Sequence, residues 1–150
     1  MNNGITGRLV YPLDMAAVRQ LKEESRDLLK LFVILGSING FLAVALGAFG
    51  AHGLEGRIDD KLLSAYQTGV QYQMFHAAAL LAVAILSTKF TSTGWIAGSG
   101  YAFLIGIILF SGSLYTMAFT GIRGLGIITP FGGVAFLVGW VLLLGSAIKS

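Results

Sequence analysis

"LFVILGSINGFLAVALGAFGA", Leu31 to Ala51, is a run of 21 residues without one charged side chain. A helix rising ~1.5 Å per residue needs roughly 20 such residues to cross the hydrocarbon of a bilayer. A soluble helix would keep a polar face toward water, and this run has none. Helix is the expected form, because backbone groups in lipid must be paired within the segment. Three further runs have the same character: Val70–Ser87 with 18 residues (His76 counted as neutral), Trp95–Phe119 with 25, and Ile127–Ile148 with 22. The links between them are short: His52–Gly69, Thr88–Gly94 and Thr120–Gly126. Short links make successive spans antiparallel. The expected fold is therefore an all-α membrane protein, a four-transmembrane-helix up-down bundle. One membrane domain covers residues 31–150, preceded by a polar segment over residues 1–30.

Composition agrees. Of 150 residues, 55% are hydrophobic and 11% charged, and the mean hydropathy is +0.79. Soluble domains carry about 25% charged residues. Without cysteine there is no disulfide, thiol nucleophile or thiolate metal site. Basic residues sit beside apolar runs without aromatic interleaving, which suits anionic lipid and argues against nucleic acid. Arg19, Lys22, Arg26, Lys30, Lys89 and Lys149 fall on one side of the bundle, and Arg57, Lys61 and Arg123 on the other. Lys and Arg favour the cytoplasmic side, so both termini are expected there.

The first thirty residues are polar. Pro12 and then Asp14 as N-cap would start a helix running to Lys30. Val18, Leu21, Leu28 and Phe32 form one stripe of it, ringed by charges. Such a helix either lies on the membrane surface or feeds straight into the first span. A cleaved signal peptide is not expected, since the polar lead is too long. "AFGAHGL" from Ala48 and "AFTGIRGL" from Ala118 echo each other at the ends of two spans, a match short enough for chance.

Small residues recur at helical spacing. Gly36, Gly40, Ala43, Gly47 and Gly50 line the first span; Gly94, Gly98, Ala102 and Gly106 the third; Gly132 and Gly139 the fourth. In lipid such stripes let helix backbones approach closely. Contact within the bundle is the first expectation, a dimerisation face the second.

Polar side chains gather toward the end of the bundle away from the termini. At 100° per residue Tyr66, Gly69, Tyr72, Gln73 and His76 share a face of the second span. Gln67 and Gln71 lie on the other face. Ser111 and Tyr115, four apart, share a face of the third span, with Ser113 nearby. Thr129 could cap the fourth span, and Pro130 suits a first turn. The candidate polar pocket comprises His52, Tyr72, Gln73, His76, Ser111, Ser113, Tyr115 and Thr129, in the outer leaflet if the termini are cytoplasmic. Taking Val70 as the first membrane residue puts His76 ~9 Å below the edge. An ionisable residue inside a span is a functional candidate by default, and imidazole changes charge near neutral pH. The plainer reading makes His76 a structural hydrogen-bonding group. His52 at a helix end suits terminal carbonyls, and Asn39 suits hydrogen bonding between helices. Glu55, Asp59 and Asp60 read as a helix start and solvated pairs. Two histidines and no thiols are a thin ligand set, so no metal and no cofactor is expected.

Four stretches taken together resemble a known family: "ALGAFGAHGL" from Ala45, "YQTGVQYQMFHAAALL" from Tyr66, "LFSGSLY" from Leu109 and "TPFGGVAFLVGW" from Thr129. They are similar to the small four-span membrane proteins grouped as domain of unknown function 423. The resemblance runs from about Leu31 to Lys149 and leaves the first thirty residues outside. It implies a multi-pass protein of the bacterial inner membrane and carries no catalytic or binding residues over. The family's recurring motifs match Gly47, Gly50, His52, Gln73, His76, Ser111, Gly112, Ser113, Tyr115, Pro130, Gly132 and Gly133.

The first functional expectation is a non-enzymatic structural or accessory component in the lipid bilayer, packing as a homo-oligomer or in a larger membrane complex. The alternative is a small transporter or channel component, or a lipid- or quinone-binding protein using the pocket around His76. A redox or metal subunit is a third reading.

Overall fold

The computed structural model describes residues 15–90 and 92–149. Pro12 and Asp14, the expected helix start, lie outside them. Four helices are long and apolar enough to cross a membrane: α1 (Met15–Leu54), α2 (Asp60–Leu86), α3 (Thr93–Thr120) and α4 (Arg123–Ile148). No strand occurs among the described residues. The chain thus folds as the expected all-α four-span bundle.

The helices overrun the apolar stretches that announce them. Residues 15–30 are helical and continue without a break into the first span, so this part of the polar lead is one piece with α1. The second helix begins ten residues before Val70. Asp59 sets that start by accepting a hydrogen bond from the Lys61 backbone N–H at 3.1 Å, which satisfies one free donor of the first turn. Beyond it Leu63, Tyr66 and Val70 turn inward while Lys61, Ser64 and Gln67 do not. A scan for uncharged runs cannot see an amphipathic turn that stands beyond the hydrocarbon. The α1–α2 link accordingly shrinks to residues 55–59.

The third helix ends at Gly121, whose φ of 72° is a left-handed conformation costly for any residue with a Cβ. A 3-10 turn, Arg123–Ile127, leads into the regular part of α4, Thr129–Ile148, with Pro130 in its first turn. Arg123 reaches Asp59 at 3.5 Å, joining the two links at the same end of the bundle. Both side chains are exposed, so this pair adds at most about 1 kcal/mol.

The main packing follows chain order: α1 against α2, α2 against α3, and α3 against α4. The two middle helices are accordingly the more buried and the two flanking ones the more exposed. One apolar cluster, near the termini, gathers Phe32, Leu80, Val83, Ile96, Phe103 and Phe136. A second, near the links, gathers Leu54, Tyr66, Val70 and Ala118.

Glycines set the helix separations at specific points. A Cβ on Gly36 would stand 2.8 Å from Leu81, on Gly50 2.7 Å from the Tyr66 ring, and on Gly139 2.5 Å from Phe103. A Cβ on Gly106 would run into Phe136, and one on Gly132 into the Phe110 backbone. Gly47 and Gly98 lie in looser contact, with Val70 and Leu142 3.3 Å away. Gly40 and Gly94 face open space and make no close contact within the bundle: spacing alone cannot tell which small residue meets a neighbour. Gly100, which a Cβ would drive into Phe32, and Gly145, 2.7 Å from Trp95, are close approaches that the stripes omitted.

Candidate functional site

The polar residues expected to form one pocket separate into three arrangements. The first is a buried chain across three helices. The Tyr115 hydroxyl donates to Gln73 Oε1 at 2.7 Å, Gln73 Nε2 donates to Asn39 Oδ1 at 3.2 Å, and Asn39 Nδ2 donates to the Leu35 carbonyl at 2.9 Å. Its members hold one another, as polar groups away from water must. Asn39 therefore belongs with Gln73 and Tyr115. This is the hydrogen bonding between helices expected of Asn39.

The second arrangement ties backbones together. Ser111 Oγ donates to the Gly69 carbonyl at 2.8 Å, and the Tyr66 hydroxyl to the Leu46 carbonyl at 2.8 Å. Ser113 and Thr129 pair through their hydroxyls at 2.8 Å. Thr129 is thus not the cap of α4; no side chain caps that helix, and Ile128 takes the position. His52 is exposed in the wide π-helical turn Gly50–Leu54 and joins none of these groups.

The third arrangement surrounds His76. His76 is 3% exposed, and its Nδ1 lies 2.8 Å from the Tyr72 carbonyl. A carbonyl only accepts, so Nδ1 carries the hydrogen. In the neutral imidazole this leaves Nε2 as a bare acceptor. Nε2 is buried and has no hydrogen-bond partner. The imidazole lies flat on Phe136, with centroids 3.5 Å apart and planes at 7°. Phe75, Phe103 and Trp140 surround it with centroids 5.3, 5.5 and 6.2 Å away.

His76 is also one wall of a cleft of about 760 Å³. Gln71, Tyr72 and Phe75 line it from α2, and Pro130, Gly133, Val134, Leu137 and Trp140 from α4, with Phe136 beside the histidine. Phe110 of α3 closes the back and stacks on Tyr72 at 4.4 Å. Phe110 owes its position to a π-helical turn over Ile107–Ser111. One extra residue in a turn rotates the rest of the helix, and such bulges recur at functional sites. The α4 backbone lies against Phe110 at Gly132. The bulge thus brings α4 close and supplies the cleft's rear ring with one device.

Along α2, Asp60–Leu86, His76 lies just past the helix midpoint. Gln71, placed on the opposite face by counting, lines the cleft with Tyr72. Sequence reasoning misses the aromatic walls, because Phe and Trp within an apolar run read as hydrocarbon. The signal is present in Gly133, Leu137 and Trp140, which recur on one face of α4.

The family model described as "Protein of unknown function (DUF423)" matches residues 46–133. The UPF0382 membrane protein YwdK of Bacillus subtilis (strain 168) is 53% identical over 121 residues, covering 81% of this chain and 98% of its own length. The UPF0382 membrane protein SAB0533 of Staphylococcus aureus (strain bovine RF122 / ET3-1) is 47% identical over 122 residues, with 81% and 98% covered. A UPF0382 membrane protein of Staphylococcus epidermidis (strain ATCC 12228 / FDA PCI 1200) is 44% identical with the same coverage. No solved structure matches the chain.

Proposed function

The chain belongs to the DUF423 family of membrane proteins, and on that premise we propose that it binds a lipid-soluble amphiphile in the cleft between α2 and α4. The carrying observation is the unpartnered Nε2 of His76 beside a cleft otherwise walled by rings. Leaving a buried acceptor unpaired costs about 1–3 kcal/mol, and a bound polar head offsets that. The size suits one ligand molecule, since small-molecule sites run about 300–1,000 Å³. Polar groups that satisfy one another, as Gln73, Tyr115 and Asn39 do, support a holding role for that chain. The role is binding, not catalysis, and the site opens sideways to the bilayer.

Residue placement supports an orientation with both termini in the cytoplasm, across a bacterial inner membrane. Six Lys and Arg near the spans fall on the termini side and three on the link side, the bias expected of cytoplasmic ends.

Trp140 lines the cleft, and only Trp95 shares its fluorescence. In the Trp95→Phe variant, reconstituted in nanodiscs, a bromine-labelled amphiphile quenches Trp140 saturably. Gly133 lines the cleft and a Cβ there would meet nothing closer than 4.0 Å, so Gly133→Leu should occupy part of the cleft and remove the saturable part. Linear quenching, identical in both proteins, refutes the proposal.

A further inference from the structure

We infer that the ligand of this cleft presents an aromatic hydroxyl, the chemistry of a lipid-soluble hydroquinone or phenol, to His76 Nε2. The inference rests on the cleft being a binding site and adds the class of ligand. Two features select it. The first is hydrogen-bond direction. The Tyr72 carbonyl takes the Nδ1 hydrogen, so the neutral ring offers an acceptor, and the partner must bring a donor. A phospholipid phosphodiester or ester brings acceptors, and so does an oxidised quinone. A hydroquinone brings O–H. The second is shape. His76 and Phe136 stand parallel, at 7°, and Tyr72 is inclined to Phe136 by 27° and to Phe110 by 28°, with Phe110 tilted 53° from Phe136. Parallel rings favour a further flat ring in offset stacking, whereas an acyl chain gains no such geometry.

Nε2 is covered by rings, so the hydroxyl reaches it only when a ring turns aside. Phe75 and Trp140 are the rings at the rim free to do so, being 60% and 39% exposed and both lining the cleft. The Tyr72 hydroxyl and the Gln71 amide, on the same wall, are available to the ligand's second oxygen.

The test compares three probes on the full chain in nanodiscs, read by Trp140 quenching in the Trp95→Phe variant, with oxygen removed. They are a short-chain alkyl hydroquinone, its dimethyl ether and the corresponding quinone. The expected order is hydroquinone tighter than the ether by about three- to tenfold, the range of one neutral hydrogen bond, with the quinone no better than the ether. His76→Phe keeps the ring and removes the acceptor, so it brings the three affinities together. The comparison of ether with hydroquinone needs no variant and stands even if that one fails to fold. Equal saturable binding of all three overturns the hydroxyl requirement and leaves the cleft as a binding site. Preference for the quinone also overturns it, by showing a donor at Nε2. No saturable binding of any probe, with saturable binding of a brominated phospholipid, overturns the ligand class alone. No saturable binding of either kind overturns the cleft reading too.

Discussion

A double-mutant cycle on Tyr115 and Gln73 tests whether the buried chain acts as one unit. Tyr115→Phe keeps the ring, which packs 5.0 Å from Tyr66, and deletes one 2.7 Å bond. Hydrogen bonds between helices in membranes average about 0.6 and reach about 1.7 kcal/mol. With Gln73 Oε1 left unpaired, the loss should be about 1 kcal/mol. Gln73→Leu deletes both bonds of the amide and leaves the Tyr115 hydroxyl and Asn39 Oδ1 without partners. At about 1–3 kcal/mol for each orphaned group, the loss should be about 2–6 kcal/mol. In the Gln73→Leu background, Tyr115→Phe now removes an orphan. Its effect should change sign, a gain of about 1 kcal/mol, for a coupling of about 2 kcal/mol. Reversible unfolding by sodium dodecyl sulfate in mixed micelles, followed by circular dichroism, measures all four corners. Additivity within about 0.5 kcal/mol, as for independent sites, refutes the chain.

Four further outcomes rest on named contacts. Gly132→Ala drives a Cβ into the Phe110 backbone, so it should cost about 2 kcal/mol or more by overpacking, while Gly40→Ala and Gly94→Ala should change stability by less than about 0.5 kcal/mol; the same unfolding assay separates them. Asp59→Ala should lose about 1 kcal/mol with the cap, whereas Asp59→Asn keeps the cap and loses only the exposed pair with Arg123, at most about 1 kcal/mol; a larger loss in Asp59→Asn contradicts the assignment. Gly121→Ala, at φ 72°, should destabilise by about 1 kcal/mol through backbone strain, read as a lower unfolding midpoint. The chain has no cysteine, so single cysteines introduced at the exposed Glu55 and at Ser150 report sidedness without background; the proposed orientation requires labelling by an impermeant maleimide in intact cells at position 55 and not at position 150.

The uncharged runs are enough to place four spans in antiparallel order, because the cost of burying charge in lipid leaves a plain mark on sequence. The start of α2 is not legible: it stands in polar sequence, where Asp59 and an amphipathic turn, not hydropathy, decide it. The face carrying Gln73 and His76 is legible from spacing. What divides these two neighbours is not: Gln73 meets Asn39 and Tyr115 on other helices, while His76, three residues on, bonds only the Tyr72 carbonyl of its own helix and is otherwise walled by rings. That depends on which helix stands opposite, and periodicity in one helix does not encode its neighbour. The π-helical turn at Ile107–Ser111 is invisible for a related reason, since "IILFS" is ordinary hydrocarbon until α4 packs at Gly132.

The order of packing along the row of helices bears on how the protein is made. Each span's main partner is the one synthesised just before or after it, and the tightest contacts close over short links. A translocon releasing one helix at a time therefore never has to hold an early span for a distant late one. The Asn39 amide, exposed to lipid on emergence, meets Gln73 as soon as α2 arrives, and Tyr115 completes the chain one span later.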